Sequence, residues 1–213
     1  MRFRDRDEAG RALAEALGDR FASEDVVVLG IPRGGVVVAA AVARALGAPL
    51  DVIVPRKLGA PRNPELGIGA IAPGVRVLDE RVVRSLGVPE DYVEAEVARQ
   101  EEEIERRLRA YRGERPPLQL GGRTALIVDD GVATGGTAVA AARWARANGA
   151  ARVVLAVPVA PPQAARLLAE EADEVVVLTA PPGFGSVGEW YERFEQTSDD
   201  EVVAVLAPGT QRP

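Results

Sequence analysis

The residues with the clearest chemical potential are two adjacent carboxylates, Asp129 and Asp130, which end the apolar run Ala125-Leu126-Ile127-Val128. Behind them come Gly131, Val132, Ala133, Thr134, Gly135, Gly136 and Thr137, after which the pattern turns helical. A strand, a glycine-containing loop and a helix N-terminus together make an anion site, because backbone N–H groups and the helix dipole face a phosphate. Thr134 and Thr137 can add hydroxyl donors, and the glycines let the backbone approach closely. The carboxylate pair would repel that phosphate, so it must face something else. Sugar hydroxyls or a Mg²⁺-linked ligand meet that need. Two other phosphate motifs fit worse. Gly131 and Gly136 have P-loop spacing, but Thr137 stands where the P-loop lysine belongs, and there is no GxGxxG fingerprint.

Four apolar residues, two acids and a loop ending in Thr-Gly-x-Thr resemble the signature of the type I phosphoribosyltransferases. The resemblance implies that Asp129 and Asp130 bind the ribose 2′- and 3′-hydroxyls of phosphoribosyl pyrophosphate (PRPP), and that Gly131 to Thr137 wrap its 5′-phosphate. It also implies a pyrophosphate loop after the first strand, where Ile31-Pro32-Arg33-Gly34-Gly35 stands. Arg33 supplies a forked cation there, and Gly34 and Gly35 bring N–H groups close to a diphosphate. Family members often carry a non-proline cis peptide in this loop, which by position falls near Pro32-Arg33-Gly34.

After the second strand comes Val54-Pro55-Arg56-Lys57, similar to the Arg-Lys pair that orotate and adenine phosphoribosyltransferases carry before a mobile loop. Lys57 is the only lysine among 26 cationic residues. An ammonium is not equivalent to a guanidinium, so this exception points to a role. Arg62 and Glu65 are further charged candidates in the segment that follows.

The implied reaction displaces pyrophosphate from the ribose C1′ by a nitrogen of an incoming base, with Arg56, Lys57, Asp129 and Asp130 as the catalytic set. Arg33, Arg56 and Lys57 would neutralise the leaving group, and Mg²⁺ would act mainly through PRPP, near Asp129 and Asp130. Ala133 stands where hypoxanthine-guanine enzymes typically place an Asp, which argues against a 6-oxopurine acceptor. Phe184 and Trp190 are candidates to stack a base, or else they pack the tail onto the core. The alternative is a regulatory protein that binds PRPP or a nucleotide on the same fold without turnover.

These residues need a scaffold, and the rest of the chain reads as an α/β protein with a mainly parallel, doubly wound (Rossmann-like) sheet. Val26–Ile31, Asp51–Val54, Thr124–Val128, Arg152–Val159 and Glu174–Leu178 read as strands, the first a continuous apolar run expected to be buried on both faces. Helical stretches separate them at 7–18, 36–46, 91–112, 137–148 and 161–170. Such sheets bind ligands at the carboxyl ends of their strands. The expected organisation is a single phosphoribosyltransferase domain over residues 1–213, with a core at about 21–180. A mobile loop or hairpin is expected at about 55–74, and a hood from 181–206 with part of 55–90. The stripe Val93, Val97, Ile104, Leu108 and Tyr111 would either serve a homodimer or cover its own core.

Composition narrows the chemistry further. The 213 residues include no His and no Cys, which excludes a Ser-His-Asp triad, a cysteine nucleophile and any imidazole or thiolate metal site. A bound metal must be a hard cation held by oxygens. A net charge of −6 argues against broad nucleic-acid binding. The charged N-terminus lacks a signal-peptide core, and the longest apolar run, Val36 to Ala43, is too short to span a bilayer, so a cytoplasmic protein is expected. The dominance of Arg over Lys and the scarcity of Asn match a GC-rich, thermophilic source.

Overall fold

Short runs of Val, Ile, Leu and Ala lose most of their surface to neighbours on both faces only in the middle of a covered sheet. Three such runs, with one further strand at each edge, form a five-stranded parallel sheet in the computed structural model, which describes residues 1–21 and 23–207. Its strands are β1 (Val26–Gly30), β2 (Leu50–Val52), β6 (Thr124–Val128), β7 (Arg152–Val159) and β8 (Glu174–Thr179), in the spatial order β2-β1-β6-β7-β8. All five residues of β1 and of β6 are buried. The chain steps outward from β1 to β2 and then returns to the other side of β1 with β6, whose Val128 pairs with Gly30. That reversal opens a crevice at the carboxyl ends of β1 and β6.

Helices cover both faces. On one lie α1 (Arg6–Leu17), α2 (Gly34–Leu46), α4 (Glu90–Arg112) and α7 (Asp199–Leu206), sharing a core with Leu13, Val42, Ile104 and Val202. On the other lie α5 (Gly136–Ala147) and α6 (Pro162–Ala169), built around Ala141, Trp144 and Leu168. Burying a side chain such as Leu13 or Leu17 contributes roughly 1.5–3 kcal/mol, enough for a few to hold a short helix to the sheet. Val93, Ile104 and Tyr111 of α4 are buried in this chain's own core, with Val97 and Leu108 packed against it. The apolar stripe therefore serves that core.

The Gly- and Pro-rich segment after β2 is a hairpin: β3 (Arg56–Ala60) pairs antiparallel with β4 (Asn63–Ala72), and β5 (Val75–Leu78) completes a separate three-stranded sheet. Between β5 and α4 stands α3 (Glu80–Leu86), whose cap residue Asp79 accepts from the N–H groups of Arg81 and Val82. In the tail, Ser198 and Glu201 form a reciprocal capping box that starts α7. The N-terminal residues join this tail: the Phe3 N–H donates to the Trp190 carbonyl, and the Glu192 and Arg193 N–H groups donate to the carbonyls of Phe3 and Arg4. Among the described residues no helix is long and apolar enough to cross a membrane.

Candidate active site

The crevice is built first from close backbone approach. The Ile31 N–H donates to the Val128 carbonyl at 2.9 Å, so the loops leaving β1 and β6 start side by side. The first contains a cis peptide bond between Pro32 and Arg33, and α2 then begins against the two acids. A Cβ on Gly34 would lie 1.9 Å from Asp130 Oδ2, and one on Gly35 would lie 2.8 Å from Asp129 Cα. Only glycine lets this loop pass over the acidic pair without displacing it.

The pair itself is pinned. Asp129 Oδ1 accepts from the Asp130 N–H at 2.8 Å, and Asp130 Oδ2 accepts from Arg6 Nε at 2.7 Å. One oxygen of each carboxyl is thus tied to the protein, and the two side chains also face each other. Burial, reinforced by the negative charge of Asp130, pushes the Asp129 carboxyl well above the usual carboxylate range. Tyr191 reaches up from the tail and donates its hydroxyl to the Asp130 carbonyl at 2.6 Å. Burial holds that phenol in its neutral form.

A cavity of about 460 Å³ opens over this pair, lined by Arg33, Arg56, Lys57, Asp129, Asp130 and Thr137. Arg6, Phe194, Gln196 and Thr197 close its other wall. Four cations thus face two acids, inside a chain whose net charge is −6. Such a lining suits a ligand more negative than the protein as a whole.

Each cation is held differently. Arg56 Nε donates to the neutral amide oxygen of Gln100 at 2.8 Å, and Gln100 donates in turn to Glu96, which two hydrogen bonds tie to Arg99. Burial first, and the nearby Arg107 second, push the Arg56 pKa downward. Lys57 Nζ donates to the Glu65 carbonyl at 3.0 Å and to its carboxylate at 3.2 Å, bridging the hairpin. Arg33 approaches Asp199 of α7 at 3.7 Å, and Tyr111 of α4 donates to that same carboxylate at 2.6 Å.

On the far side of β6, α5 begins at Gly136, so its first-turn N–H groups have no intrahelical acceptor and are available to an anion. Val132 differs from its neighbours in the loop, since its N–H is committed to the Val159 carbonyl at 2.9 Å.

Comparison with known proteins bears on this arrangement. The family model for the phosphoribosyl transferase domain matches residues 5–201. The chain belongs to that family. A curated Mycobacterium tuberculosis (strain H37Rv) protein named as a phosphoribosyl transferase is 52% identical over 205 residues, 96% of this chain and 46% of the relative. The chain therefore spans about half the length of the curated relatives it matches. The crystal structure of TT1426 from Thermus thermophilus is 47% identical with a TM-score of 0.82, covering 97% of this chain and 98% of that one. The AQ2163 structure from Aquifex aeolicus shares the fold at 16% identity and a TM-score of 0.53, over 88% of this chain and 83% of that one. The fold is thus that of the type I phosphoribosyltransferases: a parallel five-stranded sheet with flanking helices.

The sequence-predicted residues of this phosphoribosyltransferase fold distribute unevenly. Arg33, Gly34, Arg56, Lys57, Asp129, Asp130 and Thr137 meet around one cavity. Gly35 lies directly behind Asp129, and Gly131 to Gly136 form the turn from the acids into α5. Phe184 and Trp190 are not among the lining residues. Trp190 packs instead with Phe3, Ala9 and Tyr191, and of the tail aromatics it is Phe194 that borders the cavity. Arg6 and Gln100 escape sequence reasoning, because one sits in a charged N-terminus and the other in a charged helix, both of which read as solvated.

Proposed function

We propose that the protein transfers the 5-phosphoribosyl group of PRPP to a nitrogenous base or related acceptor, releasing pyrophosphate. The observation that carries this reading is the convergence of three separate segments, residues 31–34, residues 55–57 and Asp129, Asp130 and Thr137, on one cationic cavity floored by a pinned acidic pair. The adjacent carboxyl groups of Asp129 and Asp130 suit the two hydroxyls of a vicinal diol. The N-terminus of α5 with Thr134 and Thr137 suits the 5′-phosphate. Arg33, Arg56 and Lys57 suit the diphosphate, and the amide partner of Arg56 leaves its positive charge unneutralised.

As the C1′–oxygen bond breaks, positive charge grows on the sugar and negative charge on the leaving group. The three cations stabilise the departing diphosphate, while the acids hold the ribose so that the acceptor nitrogen meets C1′ in line. Two carboxylate oxygens are hard donors that suit Mg²⁺ shared with the substrate; Asp129 and Asp130 would hold it, and it would supply further neutralisation of the leaving group. Closure of the hairpin that carries Lys57 and Glu65 over the bound substrate would exclude water. The tail before α7, tied to Phe3 and Arg4 by hydrogen bonds, acts as the hood on the acceptor side, while α7 itself belongs to the core.

The test is to incubate the protein with Mg²⁺, PRPP and a panel of bases and related nitrogen acceptors. Acceptor-dependent pyrophosphate release, lost in the Asp129→Asn plus Asp130→Asn variant, is the expected result. Tight PRPP binding with no release for any acceptor would replace the enzyme with a ligand-binding regulator.

A further inference from the structure

Arg6 lies far from the acidic pair in sequence and directly against it in space. Its Nε donates to Asp130 Oδ2, its Nη1 donates to the Glu195 carbonyl at 2.8 Å, and its guanidinium carbon sits 3.9 Å above the Phe194 ring. The Arg6 and Asp130 side chains are only 13% and 15% exposed. Phe194 is itself stacked on Tyr191, with ring centroids 4.9 Å apart, and Tyr191 holds the Asp130 carbonyl. Side chain and main chain of Asp130 are thus gripped from one direction by α1 and residues 191–195.

A vicinal diol needs two acceptor oxygens at a set separation. The terminal torsion of an aspartate is broad, so an untethered carboxylate must lose that freedom when the sugar binds. Asp129 is fixed by its neighbour's N–H, a contact within the loop itself. Among the described residues no backbone N–H of the loop donates to the Asp130 carboxylate, which within that loop meets only the like-charged Asp129 side chain. The long-range contact from Arg6 performs the same task, and the guanidinium is rigid because three contacts hold it from three sides.

We infer that Arg6 is a positioning residue for sugar binding: it fixes the Asp130 carboxylate so that it meets one ribose hydroxyl while Asp129 meets the next. This inference rests on the reading that the acidic pair binds a vicinal diol. Gly34 belongs to the same device, since a Cβ there would come within 2.4 Å of Arg6 Nε.

The experiment is titration calorimetry of the full chain with ribose 5-phosphate and, separately, inorganic pyrophosphate, with melting temperatures recorded alongside. Arg6→Ala is expected to weaken ribose 5-phosphate binding about tenfold or more while leaving pyrophosphate affinity within about twofold. Arg6→Lys should recover part of the loss, because an ammonium can still donate to Oδ2 but cannot also reach Glu195 and stack on Phe194. If Arg6→Ala does not fold, Arg6→Lys carries the test alone, with ribose 5-phosphate weakened about threefold and pyrophosphate unchanged. Equal losses for both ligands would make Arg6 a direct diphosphate contact and overturn the inference. Unchanged ribose 5-phosphate binding in a folded Arg6→Ala variant would reduce Arg6 to a structural residue and overturn it equally. A wild-type protein that binds neither ligand overturns the proposed function itself, and this inference with it.

Discussion

Arg56 is a half-buried cation whose side-chain partner is an amide, and replacing that amide with a carboxylate changes charge while almost preserving shape. In Gln100→Glu the new carboxylate stands about 2.8 Å from Arg56 Nε, where the amide oxygen stands now. A diphosphate oxygen against the outer edge of the guanidinium would lie about 7 Å from that carboxylate. At an effective dielectric constant near 20, two unit charges at about 7 Å repel by about 2.4 kcal/mol, against an attraction of about 4 kcal/mol between Arg56 and an anion at about 4 Å. The substitution should therefore cost about 2 kcal/mol per diphosphate charge facing Arg56, or roughly 30-fold in affinity. Ribose 5-phosphate, bound through the acids and the α5 N-terminus, should be affected by less than about threefold. The neutral variant Gln100→Met controls for the lost amide contacts to Arg56 and Glu96. Calorimetry with both ligands on all three proteins gives the answer. Unchanged pyrophosphate affinity in Gln100→Glu, or equal weakening of both ligands, would refute the assignment of Arg56 to the diphosphate.

Three further outcomes are expected. Lys57→Ala should lower turnover on the order of a hundredfold, the scale of one removed electrostatic contact, yet shift stability by no more than about 0.5 kcal/mol because the side chain is 43% exposed; steady-state assays and denaturant titration check both, and equal activity would remove Lys57 from the site. Tyr191→Phe should cost about 1–2 kcal/mol in urea unfolding, because it leaves the partly buried Asp130 carbonyl without its donor. Glu103 on α4 is held at about 2 by Arg106, with burial opposing and Arg107 assisting, against an ordinary value of 4.5. Its folded value is depressed, so its contribution is present above about pH 4.5 and lost as the pH falls toward about 2. Melting curves across that window should show the gap between wild type and Glu103→Gln closing with acid, and a gap that stays constant would contradict the pairing.

What the sequence could and could not convey follows from how each feature is encoded. The strands β1, β6 and β7 were legible because burial on both faces writes itself as an unbroken apolar run, and the half-buried edge strand β8 still carries the run Val175–Leu178. The acids and the 131–137 loop were legible because strand, turn and helix start are contiguous. The second sheet was only half legible: Gly59, Gly67 and Gly69 break the alternation of β3 and β4, and the register shifts around Gly59. The helix α7 does carry a signal, the Ser-x-x-Glu box before an apolar run, which the aromatic residues upstream overshadowed. Arg6 carries none, since its partner lies 124 residues away and no local period links them. The choice of Phe194 over Phe184 and Trp190 at the cavity likewise depends on the pairing of the tail with Phe3, a long-range contact.

The most direct test of the account is a crystal structure of the protein with PRPP and Mg²⁺ bound. The account predicts the 5′-phosphate at the N-terminus of α5 against Thr137, the ribose hydroxyls on Asp129 and Asp130, and the diphosphate between Arg33, Arg56 and Lys57. PRPP bound elsewhere, or bound here with its diphosphate turned away from those three cations, would contradict it.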